Sequence, residues 1–82
     1  LDYDPEQDIK AVASAIVAQK NIDGDRLLEI TNLSPLRINR AVAYLEDYGI
    51  AKVYHEIGTG AFDFGFISAT GSTRRYAEEN CR

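Results

Sequence analysis

One cysteine, Cys81, and one histidine, His55, are all the chain holds of the residues that most often carry disulfides and structural zinc. A lone cysteine excludes an internal disulfide, and the two residues together cannot supply the four ligands of a structural zinc site. His55 has no serine, cysteine or carboxylate at a catalytic spacing around it, so no enzyme is expected and no cofactor or metal is called for. There is no apolar run long enough to cross a bilayer and no low-complexity tract. No membrane partner is expected, and the cysteine usage fits a reducing, cytoplasmic setting. The chain begins at Leu1 with neither a methionine nor a charged-then-apolar signal pattern, which suggests a processed chain, or one trimmed or cut from something longer.

Positive charge is also in short supply, with nine basic against thirteen acidic residues and a formal net charge of -4. Its distribution matters more than its sum. Residues 1–33 hold seven acids and three bases, and residues 34–82 hold six of each, so all of the acid excess precedes Ser34. At 82 residues the chain buries only about 60% of its unfolded surface, which limits it to one core and one domain, 1–82.

Five segments have readable patterns. "DPEQDIKAVASAIVAQK" predicts a first helix over about 5–20, with Pro5 in the first turn, acids at its start and Lys20 at its close. Its buried stripe is Ile9, Val12, Ala13, Ile16 and Val17. A short connection leads to a second helix over about 24–31, capped by Asp23 or Asp25, offering Leu27, Leu28 and Ile30 to the core and stopping near Asn32. A third helix over about 35–48 starts at Ser34 and Pro35 and stops at Gly49, with Ile38, Ala41, Val42 and Leu45 inward. The period then changes: "IAKVYHEI" and "FDFGFI" around "GTGA" predict a hairpin over about 50–68. Thr70 or Ser72 caps a closing helix over about 71–80, which Tyr76 with Arg74 and Arg75 either anchors or extends toward a dimer. The class is therefore α+β, mostly α.

Helices two and three, joined by so short a turn, must cross steeply, which is the helix-turn-helix arrangement. The stretch "LLEITNLSPLRINRAVAYLEDYGIAKV" resembles the helix-turn-helix of winged-helix DNA-binding domains found in many bacterial and archaeal transcription regulators. The entry is Leu28-Glu29-Ile30-Thr31-Asn32-Leu33-Ser34 and the exit Leu45-Glu46-Asp47-Tyr48-Gly49, followed by a hairpin wing and a small closing helix. The resemblance implies a three-helix winged helix-turn-helix fold and sequence-specific binding of double-stranded DNA as a homodimer in transcription regulation, with the third helix in the major groove.

On that footing Arg37, Asn39 and Arg40 are the expected base readers, since arginine can donate two hydrogen bonds to guanine and asparagine can pair with adenine. Leu36 lies on the same outward face. Ser34 and the free N–H groups at the helix start would hold a phosphate, as would the wing at Gly58, Thr59 and Gly60 with His55 nearby. Two features run against DNA: Asp23 and Asp25 stand where phosphates would approach, and the wing tip "IGTGAF" carries no lysine or arginine. They favour the alternative, a winged-helix protein-interaction module within a larger assembly. The glycines of "GTGAFDFG" read as a turn and not a phosphate loop, because the third glycine and the following lysine strand are missing. Phe62, Phe64 and Phe66 are expected on one strand face, either covering the core or, like the terminal helices, serving as a dimer surface.

Overall fold

The computed structural model describes residues 4–56 and 60–80; Gly58, Thr59 and Cys81, each singled out above, lie outside the described residues. The first helix, α1, spans Pro5–Gln19. Its start follows directly from its residues: the Asp4 carboxylate accepts the Glu6 N–H at 3.0 Å, satisfying a donor the helix cannot, and Pro5 sits where an N–H is dispensable. Ile9, Val12, Ala13 and Ile16 are buried as their spacing dictates, whereas Val17 is only half-buried. Asp8 shares that buried stripe, at 4% exposure.

The segment Asn21–Asp23, read from sequence as a connection, is a strand, β1. It pairs antiparallel with a later strand, Phe66–Ala69, through Ile22↔Ile67, and that strand pairs on its other side with Ala51–Tyr54 through Val53↔Ile67. Naming Ala51–Tyr54 β2 and Phe66–Ala69 β3, the sheet order is β1-β3-β2. Alternation sets its two faces. Ala51, Ile22 and Ile67 are buried against the helices, and Lys52, Tyr54, Phe66, Asn21 and Asp23 lie on the other side.

Helix α2 covers Gly24–Thr31 and α3 covers Pro35–Asp47. Asp23, rather than Asp25, caps α2, accepting the Arg26 N–H at 2.8 Å, and Asn32 ends it in the left-handed conformation at φ 57°. Of the apolar residues of α2 only Leu27 is buried; Leu28 and Ile30 are exposed, contrary to their expected inward role. Eight residues on a surface helix have one narrow stripe to hide, and Leu27 fills it. Ser34 caps α3 through the Arg37 N–H at 3.4 Å, and Gly49, at φ 66°, lets the chain turn out of it. Ile38, Ala41, Val42 and Leu45 all face the core. The last helix, α4, runs Gly71–Asn80 against α1, and its entry is fixed by Thr70 and the buried Thr73, whose hydroxyls both donate to the Ile50 carbonyl.

The hairpin departs from its expectation in both strands: β2 ends at Tyr54, and β3 begins only at Phe66. Residues 60–65 do not continue β3; they form a loop that turns Phe62 and Phe64 into the core, with ring centroids 5.8 Å apart in an edge-on contact. Phe66 alone lies on the outer sheet face, stacked on Tyr54 at 4.4 Å. The shared aromatic face offered to a second chain is thereby corrected: two of its three members are interior. The reason is at Gly24, where an added Cβ would lie 2.4 Å from the Phe62 ring, so α2 leaves a seat only a glycine provides. Gly24→Ala is expected to destabilise the fold by about 1–3 kcal/mol through overpacking, read as a lower urea midpoint at unchanged slope.

Candidate functional site

The described site residues lie at the start of α3, along it and after β2, and the structure gives them unlike environments. Arg37 is turned sideways toward α1. Its Nε donates to Asp8 Oδ2 at 2.8 Å and a terminal nitrogen donates to Asp8 Oδ1 at 2.6 Å, a two-point clamp on a buried carboxylate. An ion buried this deeply is costly without a partner, so the guanidinium is committed to tying α3 to α1. The expectation that Arg37 faces solvent is corrected on this ground. Sequence does carry a signal for the pairing: Asp8 occupies the position i−4 to Val12, inside an otherwise apolar stripe.

Asn39 is also engaged. Its Nδ2 donates to the Ala61 carbonyl at 2.9 Å and its Oδ1 accepts the Asp63 N–H at 3.0 Å, so the amide braces the 60–65 loop against α3. An asparagine that reads adenine needs the same donor and acceptor. The expectation of an outward amide is corrected here as well. Arg40 is exposed on the outer side of the helix. Ser34 serves as the cap, Leu36 is 59% exposed, and Gly60 adopts φ 68° at the end of the loop's described part.

His55, immediately after β2, meets two partners. Nε2 lies 2.8 Å from Glu46 Oε2 on α3, and Nδ1 lies 3.1 Å from the Asp63 carbonyl oxygen. The Glu46 carboxylate, by hydrogen bond and then by charge, together with that carbonyl, raises the imidazole above its ordinary value of 6.5. Asn39, Glu46, His55 and Asp63 rim a pocket of about 50 Å³, far smaller than the roughly 300–1,000 Å³ that small-molecule sites occupy. Among the described residues no group of three or more histidine, cysteine, aspartate or glutamate side chains is placed to hold a metal ion, and no helix is long and apolar enough to cross a membrane. Sequence alone did not point to Asp8, Glu46 or the Ala61 and Asp63 backbone as partners, which lie on other elements, 8 to 29 positions away.

With Arg37 and Asn39 engaged, the exposed face of α3 is Leu36, Arg40, Ala43, Tyr44, Asp47 and, at the helix end, Tyr48. Comparison with protein-family models, with curated proteins and with solved structures finds no match to this chain. The exposed face of α3 carries one positive and one negative charge and is otherwise aliphatic and aromatic, with the two tyrosine hydroxyls as its uncharged polar groups. Tyr44 and Tyr48 lie with ring centroids 4.4 Å apart, and Tyr48 is 69% exposed. At the start of α2, Asp25 is exposed, and Arg26 is paired with Glu29 at 2.9 Å.

Proposed function

We propose that the chain is a winged-helix domain whose third helix docks a protein partner, so that the scaffold acts as an interaction module and not as a reader of bases. The observation that carries this reading is the commitment of Arg37 to Asp8 and of Asn39 to the 60–65 loop. What α3 then offers is aromatic and aliphatic, with balanced charge, and tyrosine-rich surfaces of low charge are typical of the centres of protein interfaces. Duplex DNA asks for the opposite, since affinity grows with the number of phosphates neutralised by lysine and arginine. The acid excess before Ser34 works against that too.

DNA binding keeps one point in its favour, the exposed Arg40 at the middle of the outward stripe. Fluorescence anisotropy with duplex DNA at low and moderate salt separates the two readings. Docking to protein predicts affinity no tighter than non-specific binding, about 10⁻⁴–10⁻⁶ M at physiological salt. Binding near the specific range of about 10⁻⁸ M, weakened in Arg40→Ala, would contradict it. A photo-crosslinking residue at position 36 tests the same face directly: a discrete protein adduct, abolished by Tyr48→Asp, is expected, and adducts to nucleic acid instead would count against the proposal.

A further inference from the structure

We propose that His55 is a pH-operated latch between the 60–65 loop and α3: as imidazolium it bridges the Glu46 carboxylate and the Asp63 carbonyl, and as the neutral ring it can hold only one of them. The geometry makes the case. Both ring nitrogens face oxygen acceptors, at 2.8 and 3.1 Å, and neither a carboxylate nor a carbonyl has a proton to give back. Neutral imidazole carries one N–H and imidazolium two, so both contacts are satisfied only in the charged state. The latch is independent of which macromolecule α3 engages.

The loop is held to α3 at two places that meet on one residue, Asp63. Asn39 accepts the Asp63 N–H and donates to the Ala61 carbonyl; His55 takes the Asp63 carbonyl. An amide does not titrate in this range, so its grip is constant, and His55 supplies the variable one. The ionisable groups facing the ring are Glu46 from α3 and Asp63 from the loop, both acidic and both favouring the imidazolium. The neighbouring Glu56 instead turns its side chain over Gly65, where an added Cβ would lie 2.5 Å from its Cγ. No basic side chain contributes to the shift.

The sign follows from linkage. The folded chain holds this proton more tightly than the unfolded chain does, so the latch's contribution is complete below pH 6.5 and is lost as pH rises through the raised folded value. Closed at mildly acidic pH, the loop is tied to α3 by two side chains; above the transition the bridge through His55 is broken and Asn39 alone ties the loop to that helix. Because Phe62 and Phe64 are seated from the same loop, the core stays intact while the loop's polar edge is released.

The chain has one histidine, so its imidazole resonances can be followed by NMR without ambiguity. The expected result is a midpoint above 6.5 in the intact protein, with the Ala61, Asp63 and Phe64 amide signals moving through the same midpoint. Glu46→Gln keeps a hydrogen-bonding side chain without the charge and is expected to bring both midpoints down toward 6.5 together. Asn39→Ala is expected to leave the histidine transition in place and enlarge the loop's response. A midpoint at or below 6.5 in the unsubstituted protein, or loop signals that stay still across the histidine transition, would overturn the latch, and both are read without any variant.

Discussion

Arg37→Ala is expected to cost about 3 kcal/mol of unfolding free energy, the low end of the 3–5 kcal/mol range for breaking a buried ion pair, because the Arg37 side chain is one-third exposed. The loss arises less from the missing arginine than from the Asp8 carboxylate, 5% exposed, left without a counter-ion. In a domain of this size it corresponds to a fall in melting temperature on the order of 10–20 °C. Replacing both members, Asp8→Leu with Arg37→Met, is expected to recover most of that loss, since an apolar pair of similar volume avoids desolvating two charges. Urea denaturation of the four proteins checks the cycle. Additive losses in the double variant would mean that the two residues do not act as a pair.

Phe64→Ala is expected to be at least as damaging, about 3–5 kcal/mol, because it empties the largest fully buried side chain in the described structure and leaves Phe62 without its edge-on partner. Phe66→Ala is expected to cost only about 1–2 kcal/mol, as its ring is half-buried and packs mainly on Tyr54 across the outer sheet face. The order matters more than either value. Equal costs for Phe62, Phe64 and Phe66 would be the signature of three side chains sharing one strand face; a steep difference is the signature of a loop that plugs the core.

Local interactions explain what could be read from the sequence. The inward face of α3, Ile38, Ala41, Val42 and Leu45, repeats at helical spacing, and Ser34, Asn32 and Gly49 each mark a helix end for a reason contained within a few residues. The coarse α+β class followed from the same signals. β1 could not be read, because three residues with a single apolar member, Ile22, become a strand only by pairing with β3 more than forty positions away. The exposure of Leu28 and Ile30 was hidden for a related reason: periodicity says which residues could be buried, and neighbouring elements decide which are.

At the candidate site the same limit decided more. Arg37, Asn39 and Arg40 look alike in sequence as polar residues in the first turns of one helix. Asp8 lies 29 positions from Arg37, and Ala61 and Asp63 lie 22 and 24 positions from Asn39. No spacing rule within α3 reveals such partners. Only the acid inside the apolar stripe of α1 hints that a cation must come to it.

Arg37 and Asn39 are held by partners within the chain and are not available to a groove. The most direct test is a two-dimensional NMR titration with duplex DNA at low salt, following the Arg37 Nε–H and the Asn39 side-chain amide. Both signals are expected to keep their positions at every DNA concentration, with the Arg37 Nε–H slowed in exchange by its contact with Asp8. Saturable shifts of both signals on adding DNA would contradict the account and return α3 to the role of base reader.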